Sequence, residues 1–371
     1  MITETPAEPS LSKHERIRQT LADAIASGEY EPGQRLPSES ELVKTFGASR
    51  PTVTRALREL QLSGIIERRA GSGSYVRADA AARGYTFGLL IPELGRTEIF
   101  EPMCRGMADA QHGSHHVLLW GTSLGDSHNI GQQASNACRQ FVAKKVSGVF
   151  FAPLELTAQK DAINRSIADV FDKAGIPMVL LDRDLVAYPE RSRYDLVGID
   201  NRRAGYAITA HLLRSGCRRI VFVGRPGSAP TVDARIAGYY EATAAESGLE
   251  PYVRRVEPDD KAQVKAILDE IHPDGFVCAN DFTAAHLLKT LNELGVTVPG
   301  KVRMAGIDDV KYASLLSVPL TTIHQPCADI GAMAIGAMLD RVRNPKLPPR
   351  DILLSFHLVV RDSCGSRKKT H

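Results

Sequence analysis

The sequence predicts an α/β protein in two parts, a small helical front end followed by a large domain of alternating strands and helices. Three observations carry this. At 371 residues the chain has length for two or three domains of roughly 100 to 200 residues each. Its first 77 residues hold three short helical patterns and a glycine-tipped hairpin pattern. Beyond residue 84, short apolar runs recur with helical stretches between them, the signature of parallel sheets covered by helices on both faces.

Composition narrows the class. With 43% hydrophobic and 24% charged residues the chain reads as soluble and globular, and no apolar run nears the roughly 18 residues that a membrane span needs. The opening MITETPAEPS carries acids and prolines and no apolar segment, so no secretory signal is read there and the cytoplasm is the expected location. Cys104, Cys138, Cys217, Cys278, Cys327 and Cys364 are scattered singly, which suits neither zinc nor a disulfide framework. Net charge is only +3, but between Ser49 and Arg77 stand six arginines (50, 55, 58, 68, 69, 77) against Glu59 and Glu67, a local +4 that suits a phosphate-facing stripe.

The front elements follow in order. Ile17, Leu21 and Ile25 recur at four-residue steps on one helix face, ending at Gly28. After the turn Glu31-Pro32-Gly33, the string Ser38-Glu39-Ser40-Glu41 is a capping box that opens a second helix ending near Gly47. A third helix opens at Ser49, accepts Pro51 in its first turn, and buries Val53, Ala56, Leu57 and Leu60 before Gly64. IIERRAGSGSYV then reads as two strands joined by a Gly/Ser tip. Three helices and a hairpin wing make a winged helix-turn-helix, whose last helix enters the major groove of DNA.

The strings P-G-x-x-L-P-S-E-x-x-L (32 to 42), S-R-x-T-V-x-x-A-L-x-x-L (49 to 60) and R-x-x-G-x-G-x-Y-V (68 to 76) closely resemble the DNA-binding domain of the GntR family. That resemblance implies DNA contacts at Ser49, Arg50, Thr52 and Gly71. The charge pattern adds Arg55, Arg68 and Arg69 as phosphate-facing candidates. Where many family members carry arginine this chain has Ser40 and Thr54, so Arg55 and Arg58 are candidates to compensate.

In the large domain the apolar runs are TFGLLIP, HHVLLWG, GVFFAP, PMVLLD, LVGID, RIVFVG, GFVCAN and VRMAGID. Several end in polar residues, Asp182, Asp200-Asn201, Asn280-Asp281 and Asp308-Asp309, and ligands of parallel sheets bind at these carboxyl ends. The strings VGIDNRRAG (197 to 205), HLLRSGCRRI (211 to 220), CANDxxA (278 to 284), GIDD (306 to 309) and PLTTIHQP (319 to 326) resemble the LacI-type effector domain, itself similar to periplasmic sugar-binding proteins. The resemblance implies two lobes joined by three crossings, with residues 85–196 and 323–346 in one lobe and a ligand in the cleft between. Family ligand contacts then fall on Phe100, Asp182, Arg235, Asn280, Asp308 and Gln325, with Asp200 as a second-tier contact whose family counterpart serves inter-lobe coupling as readily as ligand binding. Carboxylates, an amide and an arginine suit adjacent hydroxyls, and an aromatic ring covers an apolar sugar face. The plain alternatives are core packing for Phe100 and helix capping for the aspartates.

The expected layout is a flexible start (1–10), a winged helix-turn-helix (11–77), a linker (78–84), a two-lobed periplasmic-binding-protein-like domain with parallel sheets (85–365) and a tail (366–371). The expected function is a ligand-responsive DNA-binding transcriptional repressor that works on double-stranded operator DNA with a small-molecule effector, a sugar. It is expected to act as a homodimer, without membrane, metal or cofactor; the segment Ala328 to Arg343, with Ala332, Ile335 and Leu339 at helical spacing, is a candidate interface helix, with core packing as the alternative. His112, His115 and His116 lack the companions a metal site needs and read as solvated loop residues. No nucleophile elbow, Walker loop or dinucleotide fingerprint is present, so an enzyme is not expected. A cytosolic solute-binding protein and an enzyme fusion are the competing readings.

Overall fold

The computed structural model describes residues 12–26, 29–62, 64–69, 71–77, 84–91, 98–110, 116–121 and 130–366. The predicted flexible start, the Gly28 helix stop, nearly all of the linker, His112, His115 and residues 367–371 of the tail lie outside them. The chain divides into two compact units near residue 86.

The front unit runs α1 (Lys13–Ala26), α2 (Glu39–Phe46), α3 (Arg50–Leu62), β1 (Ile66–Arg69) and β2 (Gly73–Val76), the winged helix-turn-helix order. Ser38 Oγ accepts from the Glu41 N–H while the Glu41 carboxylate accepts from the Ser38 N–H at 2.7 Å, so the capping box forms as read. Gly47 closes α2 in the left-handed region, φ 55°. Ile17, Leu21, Ile25, Leu42, Val53, Leu57 and Leu60 meet Ile66 and Val76 of the wing in one core. Residues 33–36 also lie along β2, with Leu36 N donating to Ser74 O and Val76 N to Gln34 O, each at 2.8 Å. The wing therefore has a third chain segment that the two-strand pattern did not announce.

The large unit contains β3 (Thr86–Leu90), α4 (Phe100–Asp109), β4 (Val117–Trp120), α5 (Ile130–Ala143), β5 (Gly148–Phe151), α6 (Lys160–Lys173), β6 (Met178–Leu181) and β7 (Asp195–Ile199). It continues through α7 (Asn201–Arg214), β8 (Ile220–Gly224), α8 (Pro230–Ala244), β9 (Tyr252–Arg255), α9 (Lys261–Ile271), β10 (Gly275–Cys278) and α10 (Asp281–Glu293). β11 (Arg303–Asp308), β12 (Thr321–His324), α11 (Cys327–Arg343), β13 (Asp351–Leu354) and β14 (His357–Val359) complete it. One sheet has the order β13-β7-β6-β5-β3-β4 and the other β14-β12-β11-β10-β8-β9. Pairing is parallel from β13 through to β3, and throughout the second sheet except that β14 runs antiparallel to β12. Phe151, Phe171 and Leu180 centre the first lobe's core, and Val223, Phe276, Leu287 and Met304 the second's.

The chain crosses between lobes three times, after β7, between β12 and α11, and between β13 and β14. The expected lobe bounds need correction: β7 carries the first lobe to Ile199, β12 belongs to the second lobe, and the returning segment spans Cys327 to Leu354 because β13 pairs with β7. Ile335 also changes place. It is 4% exposed in its own lobe, and the exposed residues of α11 are Ala328, Asp329, Met333, Gly336, Asp340 and Arg343. Among the described residues no helix is long and apolar enough to cross a membrane, and no group of three potential ligands could hold a metal. His116 is half-buried and accepts from Tyr85 N at 3.0 Å, so it is a packed residue instead of a solvated one.

Candidate nucleic-acid interface and ligand cleft

In the front unit α3 starts at the exposed residues Ser49 and Arg50, with the Thr52 hydroxyl 2.7 Å from Ser49 Oγ. The Arg50 side chain is three-quarters exposed, its Nε 3.4 Å from Glu39 Oε2. Arg68 from β1 pairs with the other Glu39 oxygen, and Thr54 donates to Oε2 at 3.3 Å. One carboxylate thus holds a helix arginine and a wing arginine together. Glu39 was read only as part of the capping string, and nothing local in sequence pairs it with a residue 29 positions away. Thr54 turns to that carboxylate, and Arg55 stays exposed beside Glu59, Nε to Oε1 3.1 Å. Arg69 lies over the Tyr75 ring, 4.5 Å from its centre. Gly71 at the wing tip has φ 72° with open space where a Cβ would stand, a conformation that most side chains resist.

The large unit has a cavity of about 660 Å³ between its lobes. Phe100, Asp182, Arg235, Asn280 and Asp308 all line it. Asp182 and Asp308 end their strands with positive φ, 68° and 129°, strained backbone of the kind concentrated at binding sites. Arg235, 4% exposed, donates Nε to Asn201 Oδ1 at 2.8 Å and Nη1 to Ala279 O at 2.6 Å, while its Nη2 lies 3.5 Å from Asp308 Oδ1. Gln325 does not line the cavity itself but donates Nε2 to Asp308 Oδ1 at 2.6 Å. Asn280 Oδ1 caps α10 by accepting from Thr283 N at 2.9 Å. Phe100 packs under the Arg183 guanidinium, 5.4 Å from ring centre.

Asp200 stands apart. It is exposed, caps α7 by accepting from Arg203 N at 2.9 Å, and does not line the cavity; its neighbour Asn201 is the residue that reaches the site, through Arg235. Among the lining residues that the sequence strings do not single out are Glu155, Arg225 and Phe282. Arg183, buried beside Asp182, pairs with Glu155.

Burial drives the electrostatics. It pushes the Asp182 carboxyl up against the pull of Arg183 and Arg235, and raises Asp308 to about 6 despite Arg235 beside it. Asp281 is raised by burial and by Asp308. For Glu155 burial acts upward, but Arg183 and the Ala229 N–H outweigh it and hold the carboxyl below its ordinary value. Asp182 Oδ1, Arg183 Nε and Gln325 Oε1 are buried without a protein partner, although buried polar atoms are almost always paired.

Residues 13–76 match the family of bacterial regulatory proteins called gntR, and residues 209–364 match the periplasmic binding protein-like domain. The arabinose metabolism transcriptional repressor of Geobacillus stearothermophilus is 27% identical over 96% of this chain and 98% of its own length. The ribose operon repressor of Halalkalibacterium halodurans is 25% identical over 84% of this chain and 89% of its own. Among solved structures, a LacI family regulator from Enterococcus faecium with bound ribose superposes with a TM-score of 0.61 at 24% identity, covering 75% of this chain and 98% of that one. The chain thus joins a gntR-family DNA-binding domain to a periplasmic binding protein-like domain with the LacI-type fold, and it is a transcriptional regulator, not an enzyme.

Proposed function

We propose that this regulator is a cytoplasmic homodimeric repressor of carbohydrate-use genes that leaves its operator when a neutral sugar fills the inter-lobe cleft. The supporting observation is the set of unpartnered buried groups: Asp182 and Arg183 line the cavity and each keeps one polar atom unsatisfied. A sugar hydroxyl, both donor and acceptor, satisfies such atoms. An anionic ligand fits less well. Arg183, Arg225 and Arg235 face Glu155, Glu257 and Asp308, and Glu98, Glu155, Asp182 and Asp308 put four carboxylates on the wall. Phe100 and Phe282 supply apolar surface for a sugar face. The ligand contacts are assigned to Phe100, Asp182, Arg235, Asn280 and Asp308, with Gln325 acting through Asp308.

On DNA, Ser49, Arg50 and Thr52 are assigned to the major groove, Arg55 and Arg68 to phosphate, and Arg69 and Gly71 to the wing contact. A single winged helix reads few base pairs, so two readers on a two-fold operator supply the missing affinity. The domains are assigned to 11–77 and 85–365, with the lobe limits corrected above.

The test is a thermal-shift screen of pentoses, hexoses, sugar alcohols and phosphorylated sugars with the full chain, followed by operator-release assays with each hit. A neutral pentose or hexose that raises the melting temperature and releases DNA is expected. A response confined to phosphorylated sugars would overturn the neutral-ligand reading, and a monomer on DNA by sedimentation would overturn the dimer.

A further inference from the structure

The two lobes touch at one side of the cleft through a compact set of polar contacts. Leu156 N, in the loop after β5, donates to Gly227 O in the loop before α8 at 2.7 Å, and Lys160 Nζ donates to Ser228 O at 2.8 Å. Next to Leu156 stands Glu155. One oxygen accepts from Ala229 N in the opposite lobe at 3.0 Å, and the other is paired with Arg183 Nη1 in its own lobe. Ala229 is the N-cap of α8 and has no side chain able to cap it. Glu155 fills that place from across the cleft, as a capping-box glutamate does from within a helix, and brings its negative charge to the positive end of the helix dipole. α8 is the helix that carries Arg235, and Arg183 is the guanidinium stacked on Phe100.

We propose that Glu155 is a positioning residue that ties closure of the lobes to the orientation of Arg183 in the ligand cleft. When the lobes part, Glu155 loses Ala229 and the start of α8 loses its cap. When they close, the same carboxylate is fixed at both ends and Arg183 is held in place over Phe100. Closure and a ready ligand site are thereby one event. This inference rests on reading the cleft as the effector site.

The experiment uses the full chain, Glu155→Ala and Glu155→Gln, with amide hydrogen exchange in the absence of sugar and calorimetric titration with L-arabinose and with D-ribose. In Glu155→Ala, exchange in segments 154–160 and 227–233 is expected to rise on the order of ten-fold while that in β5 and β8 stays unchanged, since only the inter-lobe contact opens. Sugar affinity is expected to fall by about ten-fold, a typical size for one coupled contact. Glu155→Gln keeps an oxygen for Ala229 but loses the charge on Arg183, so it should retain most of the protection and still lose affinity. Unchanged exchange in Glu155→Ala, or an equal rise across β5 and β8, would overturn the proposal; the latter marks a general support of the fold. If neither sugar binds the unaltered protein, the choice of effector fails and the exchange arm alone decides the role of Glu155.

Discussion

Arg235 Nε is bonded at 2.8 Å to Asn201 Oδ1, which joins the arginine in the cleft to the first residue of α7, directly after the chain leaves the first lobe. A ligand that pulls on this guanidinium therefore acts on a crossing segment. By linkage an effector shifts the DNA-bound state only through differential contact with the two lobe arrangements. Arg235→Ala should abolish sugar-induced release of operator in a gel-shift titration while sugar-free operator binding stays near wild type; Asp308→Ala should do the same. Loss of operator binding in both variants, with circular dichroism unchanged, would contradict this placement of the effector site.

On the DNA side, Arg50→Ala should weaken operator binding by about 1 to 3 kcal/mol at fixed salt, as expected for one lost base or phosphate contact. Glu39→Gln removes the carboxylate shared by Arg50 and Arg68. Non-specific affinity should rise, because a repelling charge near phosphate is gone, and the ratio of specific to non-specific binding should fall, because the two arginines lose their common anchor. Competition titrations against random duplex at two salt concentrations measure both.

The raised Asp308 carboxyl makes a signed pH prediction. Its native value of about 6 lies above the ordinary value near 3.8, so the native state holds this proton more tightly than the unfolded chain does. The cost of ionising the buried group is absent at acid pH, grows between those values and is complete above about 6. Asparagine has no charge to bury and keeps an oxygen for Gln325. Asp308→Asn should therefore be more stable than wild type by on the order of 2 kcal/mol at pH 8, with the gap closing toward pH 4.5. A gap that is constant across this range in chemical denaturation would refute the assignment.

A pair of glycines on one helix gives a stability contrast. A Cβ on Gly331 would stand 1.9 Å from Met103 O, backbone of α4 that cannot step aside, whereas one on Gly336 meets nothing within 4 Å. Gly331→Ala should lower stability by about 3 kcal/mol or more, within the range of overpacked sites. Gly336→Ala should raise it by roughly 0.5 to 1 kcal/mol through helix propensity. Melting curves of the two variants side by side decide it.

The parts of this architecture that were legible in sequence are those with local signatures. Runs such as GVFF and MVLL are buried throughout, which is why continuous apolar letters announced central parallel strands. Edge strands were harder: β13 alternates exposed and half-buried residues and β9 reads Tyr-Val-Arg-Arg, so neither stands out from a loop. That explains why the returning segment was expected to end at residue 346, since β13 carries it on to Leu354. Within the motif Asp200-Asn201 the carboxylate caps a helix while the amide beside it reaches Arg235, a division of labour that the strand-end pattern does not encode. Glu155 had no local mark at all, because its partner Ala229 lies 74 residues on in the other lobe.

The returning strands bear on the order of synthesis. The first lobe is incomplete until α11 and β13 are made, and the second waits on β14 and on Ser363, fully buried, whose hydroxyl accepts from Thr321 N and donates to Met304 O. Neither lobe can close on the ribosome from a contiguous stretch of its own, whereas the winged helix has its whole core within residues 17–76. A chain interrupted anywhere between these points carries a finished DNA reader and no working sensor. Nonsense mutations across the large domain are therefore expected to leave a winged helix with its core intact beside an unfinished sensor.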